Sequence, residues 1–166
     1  MTLVFLDVET TGLDPARHEV WEIAYSVDGG EVLSSVVAWP DHRMDPIAVT
    51  MGNGFFGRGF GYVNEVSARF EADLIRALTG ATIVGANPAF DAAFLKARWG
   101  EAPWHYRMLD IESYAMAVLC MDIVPSLAQI RADLVLAGHD IPAPDHTAAG
   151  DVACLIAVHK ALRGIR

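Results

Sequence analysis

Residues 3–12 read Leu-Val-Phe-Leu-Asp-Val-Glu-Thr-Thr-Gly, and the rest of the chain is read outward from them. The apolar run 3–8 is rich in β-formers and predicts a strand. Asp7 and Glu9 stand two apart at its end, so their side chains point to one face of a sheet. Thr10-Thr11-Gly12 then turns the chain, placing exposed hydroxyls and backbone N–H groups, open to a ligand, beside the two acids. Further on, 20–28 is a second strand candidate, Asp28-Gly29-Gly30 a turn, and 31–39 the returning strand. Three strands on short connections predict an antiparallel opening to a sheet.

From residue 67 onward the pattern becomes helical. Phe70, Leu74, Ile75 and Leu78 give helical spacing over 67–79. Residues 81–85 read as a short buried strand. Asn87 then Pro88 gives an N-cap and a first-turn proline for a helix running to about Arg98. Residues 108–111 predict a fifth strand, and 112–121, 125–137 and 148–163 three further helices. This order predicts an α/β fold with a central mixed five-stranded sheet, its first three strands antiparallel, flanked by helices. The 166 residues fit one domain spanning 1–166.

Composition narrows the function classes. Apolar residues make up 53% of the chain and charged residues 20%, the balance of a folded protein. No apolar run reaches the roughly 18 residues a spanning helix needs, and the opening lacks a basic leader. Cys120 and Cys154 are too few for a disulfide framework, so buried, reduced thiols and a cytoplasmic location are expected, with no membrane partner. A net charge of −9 argues against a broad grip on duplex DNA, which uses a basic footprint. A protein that holds one strand end through metal ions needs fewer lysines.

Residues 40–64 fit no regular pattern. Five glycines there interleave with Phe55, Phe56, Phe60 and Tyr62, with Arg58 among them. A surface connector is one reading; a flap whose rings stack on bases and whose arginine meets a phosphate is the other.

The chemistry-bearing residues fall in three contexts: Asp7 and Glu9 in the opening stretch, Asp91 in Asn87-Pro88-Ala89-Phe90-Asp91, and His146 and Asp151 in His-Thr-Ala-Ala-Gly-Asp. Four carboxylates can hold two divalent cations, and two such ions can clamp a phosphodiester. Histidine is the commonest general base at neutral pH. Each residue also has a plainer reading. Asp91 falls in a first helical turn, where an acid commonly serves only the helix dipole, and at the edge of the face carrying Phe90, Phe94 and Leu95. His146 precedes the last helix, for which Asp145 and Thr147 compete as N-cap, and Asp151 lies at the edge of the stripe Val152, Leu155, Ile156 and His159. Asp-x-Glu itself is cheap: Asp110-Ile111-Glu112 is a second copy, and there Asp110 is expected to cap the helix that follows.

The order and context of the motifs resemble the DEDD exonucleases with an RNase H-like fold, and specifically their histidine subgroup. That group includes the proofreading subunit of bacterial replicative polymerase, RNase T and oligoribonuclease. Residues 6–12 resemble the first motif, 87–91 the second, and His146-x-Ala148-x-x-Asp151 the third. The tyrosine subgroup would have Tyr at position 147, which is Thr. The glycine–aromatic segment has no counterpart in the family pattern. The resemblance implies that Asp7, Glu9, Asp91 and Asp151 bind two Mg²⁺ or Mn²⁺ ions and that His146 takes the proton of the attacking water. It implies 3′→5′ cleavage of a single-stranded 3′ end, DNA ahead of RNA, releasing nucleoside 5′-monophosphates. Thr10, Thr11, Gly12, Leu13, Asn87 and Phe90 are the substrate-contact candidates. The alternatives are an exoribonuclease trimming RNA ends or short oligoribonucleotides, and a proofreading module docked on a DNA polymerase; a homodimer partner is also compatible.

Overall fold

The computed structural model describes residues 1–37 and 65–165. Its elements are β1 (Leu3–Thr10), β2 (Val20–Val27), β3 (Leu33–Val36), α1 (Glu65–Leu78), β4 (Thr82–Gly85), α2 (Pro88–Trp99), β5 (Leu109–Asp110), α3 (Ile111–Val118), α4 (Leu127–Leu136) and α5 (Ala148–Gly164). The strands form one mixed sheet in the order β3-β2-β1-β4-β5. β1 with β2 and β2 with β3 are antiparallel, while β1 with β4 and β4 with β5 are parallel. The expected α/β arrangement with three antiparallel leading strands is therefore present.

Alternation along the strands builds two cores. Val4, Leu6, Val8, Ile23, Tyr25 and Ile83 turn to one face, against Leu74 and Leu78 of α1 and Ala92, Phe94 and Leu95 of α2. Phe5, Ala24 and Val84 turn to the other, against Ile111, Ile130, Val152, Leu155 and Val158 from α3, α4 and α5. Asp7 and Glu9 are in phase with Phe5, so they belong to the face that α5 covers. The His159 ring on α5 meets Phe5 edge-on, with centroids 5.2 Å apart.

Several boundaries differ from the sequence reading. β1 extends through Glu9 to Thr10, with a register shift between those two residues. β3 is four residues long, shorter than 31–39. α3 stops at Val118, not at 121: Cys120 has a φ of 53° and the Met121 N–H closes on the Met116 carbonyl, which ends the helix. Cys120 is exposed, contrary to expectation, and only Cys154 is buried. Among the described residues no helix is long and apolar enough to cross a membrane. The segment 40–64, with its glycine–aromatic pattern, lies outside the described residues.

On the α1–α2 side, a partly buried ion pair joins the helices. Arg98 donates from Nε and from one Nη to the two carboxylate oxygens of Glu71, both at 2.7 Å. Its Nη also donates to the Val37 carbonyl at 2.9 Å, and the Trp99 indole donates to Glu71 at 2.8 Å. This ties both helices to the chain just past β3.

Candidate active site

β1 carries its two acids past the point where β4 stops pairing. The β1–β4 ladder registers at Leu3, Val4 and Phe5 only. Beyond it the Val8 amide donates instead to Asp91 Oδ1, at 3.0 Å in a buried setting. Asp91 is 4% exposed, so it lies inside the buried face of α2 and not at its edge as expected. The acid is drawn inward by the Val8 amide, which β4 does not pair.

α2 begins as predicted at Pro88, though its cap works differently. Asn87 adopts a left-handed conformation (φ 54°) and its side chain makes no capping bond. Its backbone N–H donates to Asp110 Oδ1 at 3.3 Å, and its carbonyl accepts the Phe90 N–H at 3.0 Å. Phe90 is half-buried against Phe94, with ring centroids 4.8 Å apart. Asp110 also accepts the Glu112 amide at 3.1 Å as N-cap of α3, and Glu112 accepts the Leu127 amide at 2.8 Å. Asp110 thus caps α3, as the sequence predicted, while Glu112 meets the amide that opens α4.

The start of α5 is built by both competing cap residues. Thr147 is the N-cap and accepts the Gly150 amide at 2.9 Å. Asp145 Oδ1 accepts the Thr147 amide at 3.0 Å and its hydroxyl at 2.7 Å. A side chain at Gly150 would collide with the Asp145 carboxylate, so glycine is what lets that brace sit against the first turn. Between them His146 is exposed and held at a φ of 57°. Such left-handed non-glycine positions are uncommon and concentrate at functional sites.

These elements bring three acids together. Ligand oxygens of Asp7, Glu9 and Asp151 all lie within 4.8 Å of one another, with Asp91 docked on the peptide between Asp7 and Glu9. Burial, followed by repulsion from Asp91, Glu9, Asp151 and Glu22, holds the Asp7 carboxyl well above the usual carboxylate range. Burial pushes Asp91 up to about 7 against the pull of the Val8 amide. Burial also raises Asp151, with the His146 charge opposing it.

The set fits divalent cations on two counts. Asp151 Oδ1 is buried and accepts no hydrogen bond, an orphaned oxygen that a cation would satisfy. Clustered, desolvated carboxylates are mutually repulsive until positive charge joins them, and all-oxygen donors suit hard ions such as Mg²⁺ or Mn²⁺.

The turn after β1 is more closed than the sequence predicted. Thr10 donates its hydroxyl to the Gly12 carbonyl at 2.8 Å. Thr11 is 2% exposed; its hydroxyl accepts the Glu19 amide at 2.9 Å, and its own amide donates to the Glu19 carbonyl at 2.9 Å. The two hydroxyls expected to be open to a nucleotide instead staple the turn. Leu13 remains 79% exposed beside them. Gly12 lies under the His18 ring, where an added Cβ would come within 2.5 Å of the imidazole.

One acid escaped the sequence reading. Glu22 is the single charged residue of β2, pairs opposite Glu9 and is 8% exposed. A lone acid inside an apolar strand was the available signal.

The five-stranded mixed sheet with helices on both faces is an RNase H-like α/β fold, and the acids gather where β1 outruns β4. Among solved structures, the chain is similar to Exonuclease I in its apo form, with a TM-score of 0.68 and 22% identity. The match covers 99% of this chain and 42% of that one, so the chain spans less than half of the neighbour's length. At that identity the likeness is one of fold. No protein-family model and no curated protein matches the sequence.

Proposed function

We propose that residues 1–166 form a metal-dependent 3′→5′ exonuclease domain of the histidine DEDD type, acting on the 3′ end of single-stranded nucleic acid. The observation that carries this reading is the grouping of Asp7, Glu9 and Asp151 within 4.8 Å, on a fold shared with Exonuclease I. Asp7, Glu9, Asp91 and Asp151 would hold two Mg²⁺ or Mn²⁺ ions. When bound, such ions supply Lewis-acid polarisation of the phosphodiester and of water, and neutralise the acids.

The chain's own groups then have distinct tasks. A nitrogen of the exposed His146 imidazole accepts a proton from water as its oxygen attacks phosphorus. The bond from phosphorus to the 3′ oxygen of the penultimate nucleotide breaks, that oxygen is protonated, and the terminal nucleoside 5′-monophosphate leaves. Asp145 and Thr147 fix the backbone on either side of His146 and so aim it. The half-buried Phe90 and the exposed Leu13 are proposed to pack against the terminal sugar and base, with the Gly12 and Asn87 backbone close by.

A substrate panel tests this directly. Single-stranded DNA, duplex DNA and RNA are compared with Mg²⁺, with Mn²⁺ and with EDTA. Cleavage of single strands in either metal, abolished by EDTA and by Asp7→Ala, is the expected result. No cleavage of any substrate in either metal would overturn the proposal. The DNA and RNA arms separate a deoxyribonuclease from an exoribonuclease, and a polymerase pull-down tests the docking alternative.

A further inference from the structure

Glu22 poses a question that the metal-ligand set leaves open. Burying a carboxylate in an apolar strand is costly unless a donor compensates it. One donor comes from far along the chain: Glu22 Oε2 accepts the Ala148 N–H at 3.4 Å. Ala148 is the first residue of α5, and its amide is among those a helix cannot satisfy internally. The other donors described at this end are taken locally, Thr147 N–H by Asp145 and Gly150 N–H by Thr147. Glu22 supplies a bond that reaches the sheet.

The location gives that bond consequences. Glu22 pairs with Glu9 across the β1–β2 ladder, so the residue opposite one proposed ligand bonds to the helix that carries another. His146 and Asp151 flank the anchored residue, two positions before and three after it. A pivot at Ala148 would swing both relative to Asp7 and Glu9.

We propose that Glu22 is a positioning residue: by accepting the Ala148 amide it docks the first turn of α5 beside Glu9 and sets where His146 and Asp151 stand over Asp7 and Glu9. Its link to catalysis rests on the nuclease reading above. The role belongs to the oxygen acceptor and its reach, not to the negative charge. Glu22→Gln keeps an acceptor at the same length, whereas Glu22→Asp keeps the charge but withdraws the oxygen by one methylene.

Three readouts on the full chain decide it: amide hydrogen exchange over 146–151 without metal, the Mn²⁺ concentration that half-saturates the rise in melting temperature, and kcat against KM on single-stranded DNA. Glu22→Asp is expected to speed exchange across the first turn of α5, to raise the Mn²⁺ midpoint about tenfold and to lower kcat by a similar factor, the usual scale for groups that orient metal ligands. KM should stay within about twofold, since the terminal nucleotide is held elsewhere. Glu22→Gln should stay within about threefold of the wild type in each readout, the conservative rescue a positioning bond allows. Wild-type exchange in Glu22→Asp would overturn the proposal, as would a Gln variant impaired as severely as the Asp variant. If the Asp variant does not fold, the Gln arm alone still decides against the proposal when it fails. A wild type that neither responds to Mn²⁺ nor cleaves would instead overturn the nuclease reading, while the exchange comparison continues to test the anchor.

Discussion

Asp91 accepts the backbone amide of Val8, the residue between Asp7 and Glu9, at 3.0 Å. One hydrogen bond therefore fixes the acid of the second motif against the peptide that carries both acids of the first. β4 stops pairing with β1 at Phe5, and α2 supplies the acceptor for the Val8 amide. The bond and the charge of Asp91 can be separated. Asp91→Asn keeps an acceptor for Val8 and should leave the fold intact, raising the melting temperature of the metal-free protein near pH 8 while cutting turnover by at least about two orders of magnitude. Asp91→Ala orphans the Val8 amide and should cost about 1–3 kcal/mol. Thermal melts of the two variants side by side check both.

The same carboxyl makes metal-free stability depend on pH. Burial raises Asp91 to about 7, so the folded chain binds its proton more tightly than the unfolded chain does. The associated stability is fully present below the ordinary carboxylate value. It is lost as pH rises toward and through about 7, and Asp7 acts in the same direction. Melting temperature without metal should fall between about pH 5.5 and pH 8, less steeply in Asp91→Asn, and Mn²⁺ should restore it at the upper end. A metal-free profile as steep in Asp91→Asn as in the wild type would contradict this.

Catalysis and metal binding should also separate at His146. The His146→Ala variant is expected to lose about two or more orders of magnitude in kcat, the contribution of a positioned general base, while retaining its Mn²⁺-dependent rise in melting temperature. Near-normal turnover would remove His146 from the mechanism.

Glu71 and Arg98 govern the acid side. Burial pushes the Glu71 carboxyl up, but the Arg98 and Trp99 hydrogen bonds and the Arg98 charge outweigh it and leave it below the usual range. Stability from this pair is fully present above the ordinary glutamate value and is lost as pH falls through the lowered one. Arg98→Ala should cost about 1.5–3 kcal/mol at neutral pH, as expected for a charged hydrogen bond, and should lose less stability on acidification than the wild type. Urea melts at two pH values measure both effects.

The turn at Gly12 offers a structural test of the substrate side. A Gly12→Ala methyl would press on the His18 ring, whose Nδ1 lies 3.2 Å from both the Asp14 amide and the Asp14 carbonyl oxygen. The variant should lose about 1–3 kcal/mol by overpacking and raise KM for single strands. Gly12→Ala combined with His18→Ala should recover most of the stability.

Much of this was legible in the sequence because periodicity and cap residues are local signals. The β-rich apolar runs at 3–8 and 20–28 marked the central strands, helical spacing marked α1, and Asn87-Pro88 marked the start of α2. The helix predicted over 112–121 ends earlier because a left-handed backbone at Cys120 stops it, which no side-chain pattern announces. The depth of Asp91 and the anchoring by Glu22 depend on partners 83 and 126 residues away, and no local pattern encodes those. The closed hydroxyls of Thr10 and Thr11 were misjudged for a related reason: their partners are backbone groups brought round by the turn. The flap suggested for 40–64 lies outside the described residues and stands as a reading of sequence.

Label position separates a metal-dependent nuclease that works from the 3′ end from every other mode of cleavage. The same single-stranded DNA is labelled at its 5′ end in one sample and at its 3′-terminal nucleotide in the other, then followed over time in Mg²⁺ or Mn²⁺. The expected result is a stepwise shortening ladder from the 5′ label, immediate release of a labelled 5′-mononucleotide from the 3′ label, and neither in EDTA. Release of the 5′ label as a mononucleotide, internal cuts, or undiminished cleavage in EDTA would contradict it.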